Sequence, residues 1–413
     1  MRDEMKKVPR LRFRGFQEDW ELCKLGTLAE IVRGASPRPI QDSKWFDNTS
    51  DVGWLRISDV TEQNGRIYKL EQKLSKAGQE KTRVLRKPHL LLSIAATVGK
   101  PVVNYVNTGV HDGFLIFLNP LFDREFMFQW LEMFTSKWQK YGQPGSQVNL
   151  NSELVRNQEL RIPSTNEQEK IGTLFKQLDD TITLHQRKLE QLKELKKAYL
   201  QLMFASTNTK NDKLPKLRFT GFKGYWELCK LSDISDKVKE KNKHGKFTET
   251  LTNSAEYGII NQRVFFDKDI SNVNNLNSYY VVQNDDFVYN PRISNFAPVG
   301  PIKRNRLGRT GVMSPLYYVF RTHSIDNNYL EKYFDTVYWH HFMELNGDTG
   351  ARADRFAIKD SIFVEMPIPY PSTEEQQKIG IFFKKLDQSI TLYKNKLNQL
   401  KALKKAYLQN MFI

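Results

Sequence analysis

Basic and amide side chains are concentrated in turn-like segments of this chain. An arginine can donate two parallel hydrogen bonds to a guanine edge or a phosphate, and the amides of Asn and Gln fit the edge of adenine. Most charged loop side chains in proteins are simply solvated, so each assignment is a separate hypothesis. The candidates for contact with a nucleic acid are Arg33, Ser36, Arg38, Lys100, Gln147 and Asn149 in the first half, and Asn290, Arg292, Lys303, Arg304, Arg306, Arg309, Arg352 and Arg355 in the second.

The overall charge is compatible with a polyanionic partner. Among 413 residues, Lys and Arg number 63 and Asp and Glu 47, which gives a net charge of +16. A basic protein without such a partner is equally compatible with this number. The N-terminal residues lead into no signal-peptide pattern, and the longest apolar run, 90–98, is too short to span a bilayer. These features predict a cytoplasmic protein.

Signatures of catalysis are not found in the sequence. Gly99-Lys100 is followed by Pro101, so it is no phosphate-binding loop, and Asn290-Pro291-Arg292 lacks the second proline expected of an amino-methyltransferase. The adjacent His340-His341 would point about 100° apart on a helix, which suits a metal poorly. Each of Cys23 and Cys229 lacks a second cysteine or a close histidine, so no metal site is predicted. Short carboxylate clusters of nucleases are easily hidden, but the chain has the pattern of a binding protein.

Two segments of the chain occur twice. The segment 9–25 recurs as 215–231, an offset of 206 residues. The segment 167–204 recurs as 375–412, with 26 of 38 positions identical. The stretches between these segments do not align convincingly. This arrangement indicates one scaffold that carries two divergent modules.

The second repeated segment has the pattern of a coiled-coil helix. Apolar positions in 171–203 are separated by alternating steps of four and three residues, and the same steps occur in 379–411. Each copy carries one lysine within this seam, Lys196 or Lys404. An isolated polar seam residue typically fixes the register or the partner number.

Connectivity indicates the direction of the two helices. With predicted N-caps at Thr165 and Thr373, each helix is a rod of about 55 Å. Only the nine residues 205–213 separate the first helix from the second module, and they extend about 30 Å at most. If the helices pair, they are therefore antiparallel, with one module at each end and an approximate two-fold axis between them. The alternative is that each helix packs only on its own module.

Both modules have the pattern of mixed α and β structure. Short β-rich runs such as 114–118 and 287–289 alternate with turns, and helical patterns follow near 126–141 and 329–345. The predicted fold is α+β, with two mixed α/β domains separated by a pair of long antiparallel coiled-coil helices in a pseudo-two-fold arrangement. The predicted boundaries are 1–162 and 207–370 for the domains, and 163–206 and 371–413 for the helices.

These features resemble the specificity subunit of type I restriction–modification enzymes. The resemblance is carried by Pro163 with Glu167-Gln168-Glu169-Lys170-Ile171-Gly172, and by Pro371 with Glu375-Gln376-Gln377-Lys378-Ile379-Gly380. Leu-Asp pairs at 178–179 and 386–387 follow, and an Arg-Phe-x-Gly-Phe…Trp box precedes each module. The resemblance covers essentially the whole chain, and the paired occurrence of both boxes makes it specific.

The resemblance implies a function and its partners. Each module would be a target-recognition domain for one half of a bipartite, asymmetric DNA site, and the helices would set the spacing. The helices would also dock two adenine methyltransferase subunits, which two restriction (motor-nuclease) subunits join. S-adenosylmethionine, ATP and Mg²⁺ would be held by those partners, with no cofactor and no catalysis on this chain. Two other functions stay open, namely an enzyme that acts alone on nucleic acid and a scaffold without a nucleic-acid role.

Outward-facing helix residues that are identical in both copies are the predicted docking residues. The identity of the copies has a second explanation, because it would also follow if the two helices pair with each other. The docking candidates are Gln168, Lys170, Asp179, Lys188, Gln191 and Lys197, with their counterparts Gln376, Lys378, Asp387, Lys396, Gln399 and Lys405.

Overall fold

The computed structural model describes residues 7–95, 97–138, 150–205, 214–267, 273–349 and 354–412. The chain divides into two compact units. Unit 1 consists of Met1–Gln186 and Asn395–Ile413, and unit 2 consists of Arg187–Lys394. Each unit therefore contains one α/β module, part of the first long helix and part of the second. No helix of the described residues combines the length and the apolar composition that a bilayer-crossing segment needs.

The strands of unit 1 are β1 (Glu21–Lys24), β2 (Glu30–Arg33), β3 (Gly53–Trp54), β4 (Arg66–Ile67), β5 (Arg83–Leu85), β6 (Leu90–Ser93), β7 (Pro101–Asn104), β8 (Thr108–Val110), β9 (Phe114–Leu118) and β10 (Glu159–Ile162). Eight of them form a five-stranded sheet with the order β2-β9-β6-β7-β4 and a three-stranded sheet with the order β3-β8-β5. The helices are α1 (Leu25–Leu28), α2 (Ile57–Glu62), α3 (Lys76–Glu80), α4 (Arg124–Trp138), α5 (Ser152–Asn157) and α6 (Thr165–Leu202), of which α6 continues into unit 2.

The core of unit 1 lies between the large sheet and α4. Strands β6 and β9 are apolar along nearly their whole length because they occupy inner positions of the sheet. Helix α4 begins after Asp123, whose carboxylate accepts a hydrogen bond from the Phe126 amide at 2.8 Å. Its buried face carries Phe126, Trp130 and Trp138. The predicted helix near 126–141 is thus confirmed over the described residues.

The strands of unit 2 are β11 (Glu227–Lys230), β12 (Ser235–Lys237), β13 (Leu251–Ser254), β14 (Gly258–Asn261), β15 (Tyr280–Val282), β16 (Phe287–Tyr289), β17 (Ile302–Arg304), β18 (Gly311–Met313), β19 (Tyr318–Thr322) and β20 (Pro367–Tyr370). Eight of them form the four-stranded sheet β12-β19-β16-β17 and the two-stranded sheets β13-β14 and β15-β18. The helices are α7 (Leu231–Ile234), α8 (Gln262–Phe266), α9 (Asn327–Phe334), α10 (His340–Asn346), α11 (Asp360–Phe363) and α12 (Thr373–Met411), of which α12 continues into unit 1.

The helix predicted near 329–345 is two helices, α9 and α10. The break follows from Thr336, whose hydroxyl donates to the Tyr333 carbonyl at 2.7 Å and accepts from the Tyr338 amide at 3.3 Å. A threonine side chain that bonds nearby backbone in this way competes with the helical hydrogen bonds. The buried Trp339 is the N-cap residue of the second helix.

The long helices run antiparallel within each unit. In unit 1, Phe412 from the end of α12 packs on Phe175 near the start of α6, with ring centroids 5.7 Å apart. In unit 2, Phe204, just beyond the end of α6, packs on Phe383 near the start of α12, at 6.0 Å. Of the seam predicted in α6, Ile171, Phe175, Leu189, Leu192 and Met203 are buried. The predicted pairing of the helices is confirmed.

The helices begin where the sequence predicts, but their caps differ from the prediction. The carbonyl of Ser164 accepts from the Glu167 and Gln168 amides, and that of Ser372 accepts from the Glu375 and Gln376 amides. The capping residues are therefore Ser164 and Ser372, one residue before the expected Thr165 and Thr373.

The first repeated box of each module joins the strand that leads into the long helix. β1 pairs antiparallel with β10, and β11 with β20. Cys23 and Cys229 lie at the same place in these ladders, opposite Leu160 and Ile368, and both are half-buried free thiols. Burial raises the pKa of the Cys229 thiol to about 11, and it also raises the pKa of Cys23.

An arginine of each box forms a two-pronged ion pair with the long helix. Arg12 donates from Nε and Nη2 to the two carboxylate oxygens of Glu167, at 2.7 and 2.8 Å. Arg218 makes the same contacts with Glu375, at 2.6 and 2.7 Å. Both carboxylates are buried, so the arginine supplies the charge compensation they need. We call this repeated arrangement of box, strand pair and ion pair the frame.

A glutamine and a glycine complete the frame in both units. The Gln168 amide accepts from the Asp123 backbone amide at 2.9 Å and donates to the Pro163 carbonyl at 2.8 Å. Gln376 makes the equivalent bonds to Asp326 and Pro371, both at 2.9 Å. One turn later, a Cβ on Gly172 would lie 2.5 Å from the Asp123 carboxylate, and one on Gly380 would lie 2.7 Å from that of Asp326. The repeated motif therefore seats each long helix against the module.

Candidate nucleic-acid interface

Three candidate residues of unit 1 converge on Asp112. Arg33 donates to the Asp112 backbone carbonyl at 2.6 Å, while Ser36 and Arg38 donate to its carboxylate at 2.9 and 2.7 Å. Burial alone would raise the pKa of Asp112, but the hydrogen bond from Ser36 and the charge of Arg38 hold it below its ordinary value. The Arg38 side chain is 71% exposed. The cluster therefore presents an oriented guanidinium group to solvent.

Close backbone packing fixes the loop that carries this cluster. Gly34 and Ala35 donate to the carbonyls of Phe114 and Val110 at 2.9 and 3.0 Å. A Cβ on Gly34 would lie 2.1 Å from the His111 carbonyl, so only glycine fits there. The sequence does not reveal Asp112 as the centre of the cluster because it lies 79 residues after Arg33.

Lys100, another candidate of the first module, is not part of this cluster. Lys100 lies on a separate turn between β6 and β7, where its amide bonds to the Thr97 carbonyl at 3.2 Å. Gln147 and Asn149 lie outside the residues that the structure describes.

The basic run of the second module is held by carboxylates of its own unit. Lys303 pairs with Asp335 at 2.9 Å, and Arg304 with Asp285 at 2.8 Å. The Arg304 side chain is only 11% exposed. Lys303 and Arg304 therefore contribute to the fold of unit 2 from β17, contrary to the expectation that they lie in an exposed turn.

The two later arginines of the run are also paired, but more exposed. Arg306 bonds to Glu331, and Arg309 donates to both oxygens of Glu249 at 2.7 and 2.8 Å. These hydrogen bonds from Arg309 hold the pKa of Glu249 below its ordinary value. Any anion that binds Arg309 must compete with Glu249.

Three other candidates of the second module meet at one turn. Asn290 donates to the Asn253 carbonyl at 2.8 Å and accepts from the Arg292 amide at 3.0 Å, which shapes the turn. The backbone of Arg292 is bridged to that of Arg355. The Arg292 side chain is 62% exposed and reaches Asp354 at 3.3 Å. Arg352 lies outside the described residues.

The docking candidates separate into three groups. Gln168 and Gln376 are buried, because their amides are used in the frame, so the expectation that they face outward does not hold. Asp179 and Asp387 are only partly exposed and pair with Lys404 and Lys196 at 2.6 and 2.7 Å. The exposed candidates are Lys170, Lys188, Gln191, Lys197, Lys378, Lys396, Gln399 and Lys405.

Four of the exposed candidates share a helix face with exposed leucines, which the sequence pattern does not indicate. Lys188 and Gln191 precede Leu195 in steps of three and four residues, so the three share one side of α6. Leu195 is 43% exposed, and its counterpart Leu403 is 39% exposed. One step earlier on each helix, Leu184 and Leu392 are 66% and 67% exposed. We define the docking stripe as Leu184, Lys188, Gln191 and Leu195 on α6, with Leu392, Lys396, Gln399 and Leu403 on α12.

Across residues 7–412, leaving out the undescribed segments between them, no three His, Cys, Asp or Glu side chains are grouped so as to hold an ion. Trp54 and Phe114 instead surround His111, whose pKa is lowered by burial.

Comparison with known proteins agrees with the duplicated frame. The family described as "Type I restriction modification DNA specificity domain" matches twice, over residues 17–194 and 224–402. The specificity subunit of the type I restriction enzyme MjaVIII from Methanocaldococcus jannaschii is 20% identical over 409 residues, which cover 94% of this chain and 91% of that protein. The crystal structure of a type I restriction–modification S subunit from M. genitalium has the same fold, with a TM-score of 0.61 at 14% identity and coverage of 98% and 99% of the two chains. This chain therefore belongs to the type I restriction–modification DNA specificity domain family.

Proposed function

We propose that this chain is the non-catalytic DNA-targeting subunit of a type I restriction–modification complex, and that each module reads one half of a bipartite, asymmetric site. The observation that carries the proposal is the frame. Arg12 with Glu167 and Arg218 with Glu375 repeat the same ion pair, whereas the sheets and loops of the two modules differ. Two copies of one frame that carry different loops are what a protein with two different binding specificities needs.

The modules are proposed to correspond to residues 1–162 and 207–370, with helical segments 163–206 and 371–413 between and after them. In this proposal the helices set the spacing of the half-sites. Helix α6 runs for 38 residues without a break, about 57 Å, which exceeds one DNA turn of about 34 Å. A continuous helix keeps a fixed length, whereas a flexible linker would not.

The docking stripe is the proposed contact surface for the methyltransferase subunits. Large apolar side chains such as Leu184 and Leu392 are normally covered when they recur at equivalent positions of a repeat. Pairing between the two helices does not explain why these leucines are identical in both copies, because the leucine side chains face solvent. Two equivalent stripes would accept two copies of one partner. We propose two methyltransferase subunits and, with them, two restriction subunits.

Cofactors and location follow from those partners. S-adenosylmethionine would be bound by the methyltransferase subunits, and ATP and Mg²⁺ by the restriction subunits. The proposed location is the cytoplasm, where bacterial and archaeal DNA is found. The contribution of this chain is to bind and orient the DNA so that a partner reaches the adenine.

The proposal is tested by mapping methylated adenines in the DNA of a host that carries this chain and its methyltransferase partner. The expected result is one bipartite motif with a fixed spacer, which disappears when this chain is deleted. A motif that persists without the chain would contradict the proposal. Methylation or cleavage of DNA by the purified chain alone would favour the self-contained enzyme, and failure to retard any duplex at low salt would favour the scaffold.

A further inference from the structure

Unit 2 contains an open groove of about 590 Å³ that the family comparison does not assign. Its walls are the β13–β14 hairpin, the turn after β16 and the turn before β19. We call it the aromatic groove and define it by Tyr257, Phe265, Arg292, Phe296, Tyr317 and Arg355.

The rim of the groove carries large apolar side chains in solvent. Phe296 is 77% exposed, Tyr257 is 64% exposed, and the neighbouring Leu316 is 59% exposed. Each of these three residues lies in a turn that joins or flanks strands, and its side chain therefore stays exposed to solvent in the folded protein. Exposed apolar side chains gathered around one concave surface are typical of a binding site.

The turn that presents Phe296 is closed by its own backbone. Ser294 and Ala297 exchange two hydrogen bonds, at 3.1 and 3.0 Å. The two residues between them are thereby held at the tip. A ring on a closed turn loses little conformational freedom when it contacts a partner.

Two arginines line the groove from paired backbone segments. The Ile293 amide donates to the Asp354 carbonyl at 3.1 Å, and the Phe356 amide donates to the Pro291 carbonyl at 2.8 Å. These bonds fix the backbone that carries Arg292 and Arg355. Arg292 has one contact of 3.3 Å, to the exposed carboxylate of Asp354. Arg309, in contrast, donates from two nitrogens to both carboxylate oxygens of Glu249.

A lysine-rich turn adjoins the groove. Asn242 donates to the carbonyl of Tyr279, a groove residue, at 3.0 Å, and its side chain closes the turn on Phe247. Lys243 and Lys246 of this turn are exposed. Among the groove-lining residues that the structure describes, two are arginines and one, Glu256, is acidic, and the exposed carboxylate of Asp354 pairs with Arg292. Together with the two lysines, the arginines outnumber these two carboxylates. The charge favours a polyanion.

We infer that the aromatic groove, and not the basic run 303–309, is the surface with which the second module reads its DNA half-site. This inference rests on the proposed function and deepens it. Phe296 contacts the bases, either a thymine methyl group or an opened base step, and Arg292 donates to a base edge. Lys243 and Lys246 contact phosphates, which adds affinity without sequence preference.

The test uses the full chain in complex with its methyltransferase partner and a pool of randomised duplexes. Bound duplexes are sequenced for the wild type and for Phe296→Ala, Arg292→Ala and Arg292→Lys. The wild type is expected to select two conserved blocks. Each alanine variant is expected to lose preference in one block only, by about tenfold to a hundredfold per affected base, the range of a good base contact. Lysine keeps the positive charge of Arg292 but cannot donate two parallel hydrogen bonds, so Arg292→Lys should retain affinity and still lose the base preference.

Tyr225→Ala provides the matched control, since Tyr225 is an equally exposed aromatic residue of unit 2 outside the groove. It should leave both blocks unchanged. Two blocks in the wild type that persist in Phe296→Ala and Arg292→Ala would overturn the groove assignment while the proposed function stands. No conserved block in the wild type would overturn both. Loss of co-purified methyltransferase in the groove variants would show that the groove binds protein, and would also overturn the assignment.

Discussion

Lys196 of α6 and Asp387 of α12 form an ion pair of 2.7 Å within unit 2. The equivalent pair in unit 1 joins Lys404 of α12 to Asp179 of α6 at 2.6 Å. The lysine that interrupts each apolar seam therefore meets the aspartate of the Leu-Asp motif on the other helix. A slip of one helix by a single turn would separate both pairs, so the pairs select one register.

Lys404→Met should destabilise unit 1. The Lys404 ammonium also bonds to Glu132, and it is only 12% exposed. Its removal leaves Asp179 with Arg66 as its remaining cation, at 3.1 Å, and takes one partner from the 41% exposed Glu132, at a cost of about 1–3 kcal/mol. Chemical unfolding monitored by tryptophan fluorescence measures the loss. Lys405→Met, at the exposed neighbouring position, should change stability little; an equal loss in both variants would refute the role of the ion pair.

Unit 2 should lose stability as the pH falls below about 4. Lys332 bonds to Asp335 and Asp387, both at 2.8 Å. Burial alone would raise the pKa values of the two aspartates, but the lysine charges outweigh it and hold both pKa values below their ordinary range. The unfolded aspartates, with pKa near 3.9, then bind protons before the folded ones do, so acid favours unfolding.

Asp335→Asn tests this pH dependence. The variant should be less stable than the wild type at pH 7, and its free energy of unfolding should change less between pH 5 and pH 3. Denaturant titrations at several pH values give both quantities. Parallel pH profiles for the two proteins would contradict the assignment.

Gly172→Ala and Gly380→Ala should each destabilise the chain, although alanine is the better helix former. The added Cβ of Gly172→Ala would lie 2.8 Å from the Phe126 backbone nitrogen, and that of Gly380→Ala 2.9 Å from the Asn328 Cβ. Such overpacking costs about 1–3 kcal/mol, against a gain in helix propensity of about 1 kcal/mol. Thermal unfolding decides the balance. A rise in Tm for either variant would show that the helix is not seated as described.

Aspartate in the docking stripe should prevent assembly without unfolding the chain. Leu195→Asp with Leu403→Asp places a charge at two exposed positions, so stability should change little while co-purification of the methyltransferase subunit is lost. Lys193→Asp with Lys401→Asp, at exposed positions that are neither on the stripe nor among the docking candidates, is the comparison. If the stripe variant still carries two methyltransferase subunits, the docking surface lies elsewhere.

The long helices are the part of the fold that the sequence predicts best. Their seam is a local period of apolar residues, so its prediction needs no information about distant parts of the chain. Its members Phe175 and Leu189 are buried, although Ile182 is only partly so. The predicted caps, Thr165 and Thr373, lie one residue after the observed ones, because serine and threonine are adjacent at both helix starts and only the hydrogen bonds distinguish them. The break at Thr336 also depends on side-chain hydrogen bonds that apolar periodicity does not report.

The candidate interface is predicted less well, because the partners of its basic residues are distant in the sequence. Glu249 lies 60 residues before Arg309, and Asp335 lies 32 residues after Lys303. In the sequence, the run 303–309 therefore resembles a contact surface, because its basic residues are adjacent while their acidic partners are distant. The exposed rings of the aromatic groove, in contrast, resemble ordinary core residues in the sequence, and only their exposure in the structure distinguishes them.

The most direct test of the account is the dependence of DNA binding on the distance between the half-sites. The complex of the chain with its methyltransferase partner is titrated with duplexes that contain the mapped motif, at one salt concentration, while the spacer is lengthened by up to about five base pairs, half a turn. Helices of fixed length predict that specific affinity falls to the non-specific level within a few added base pairs. An affinity that does not depend on spacer length would contradict the account.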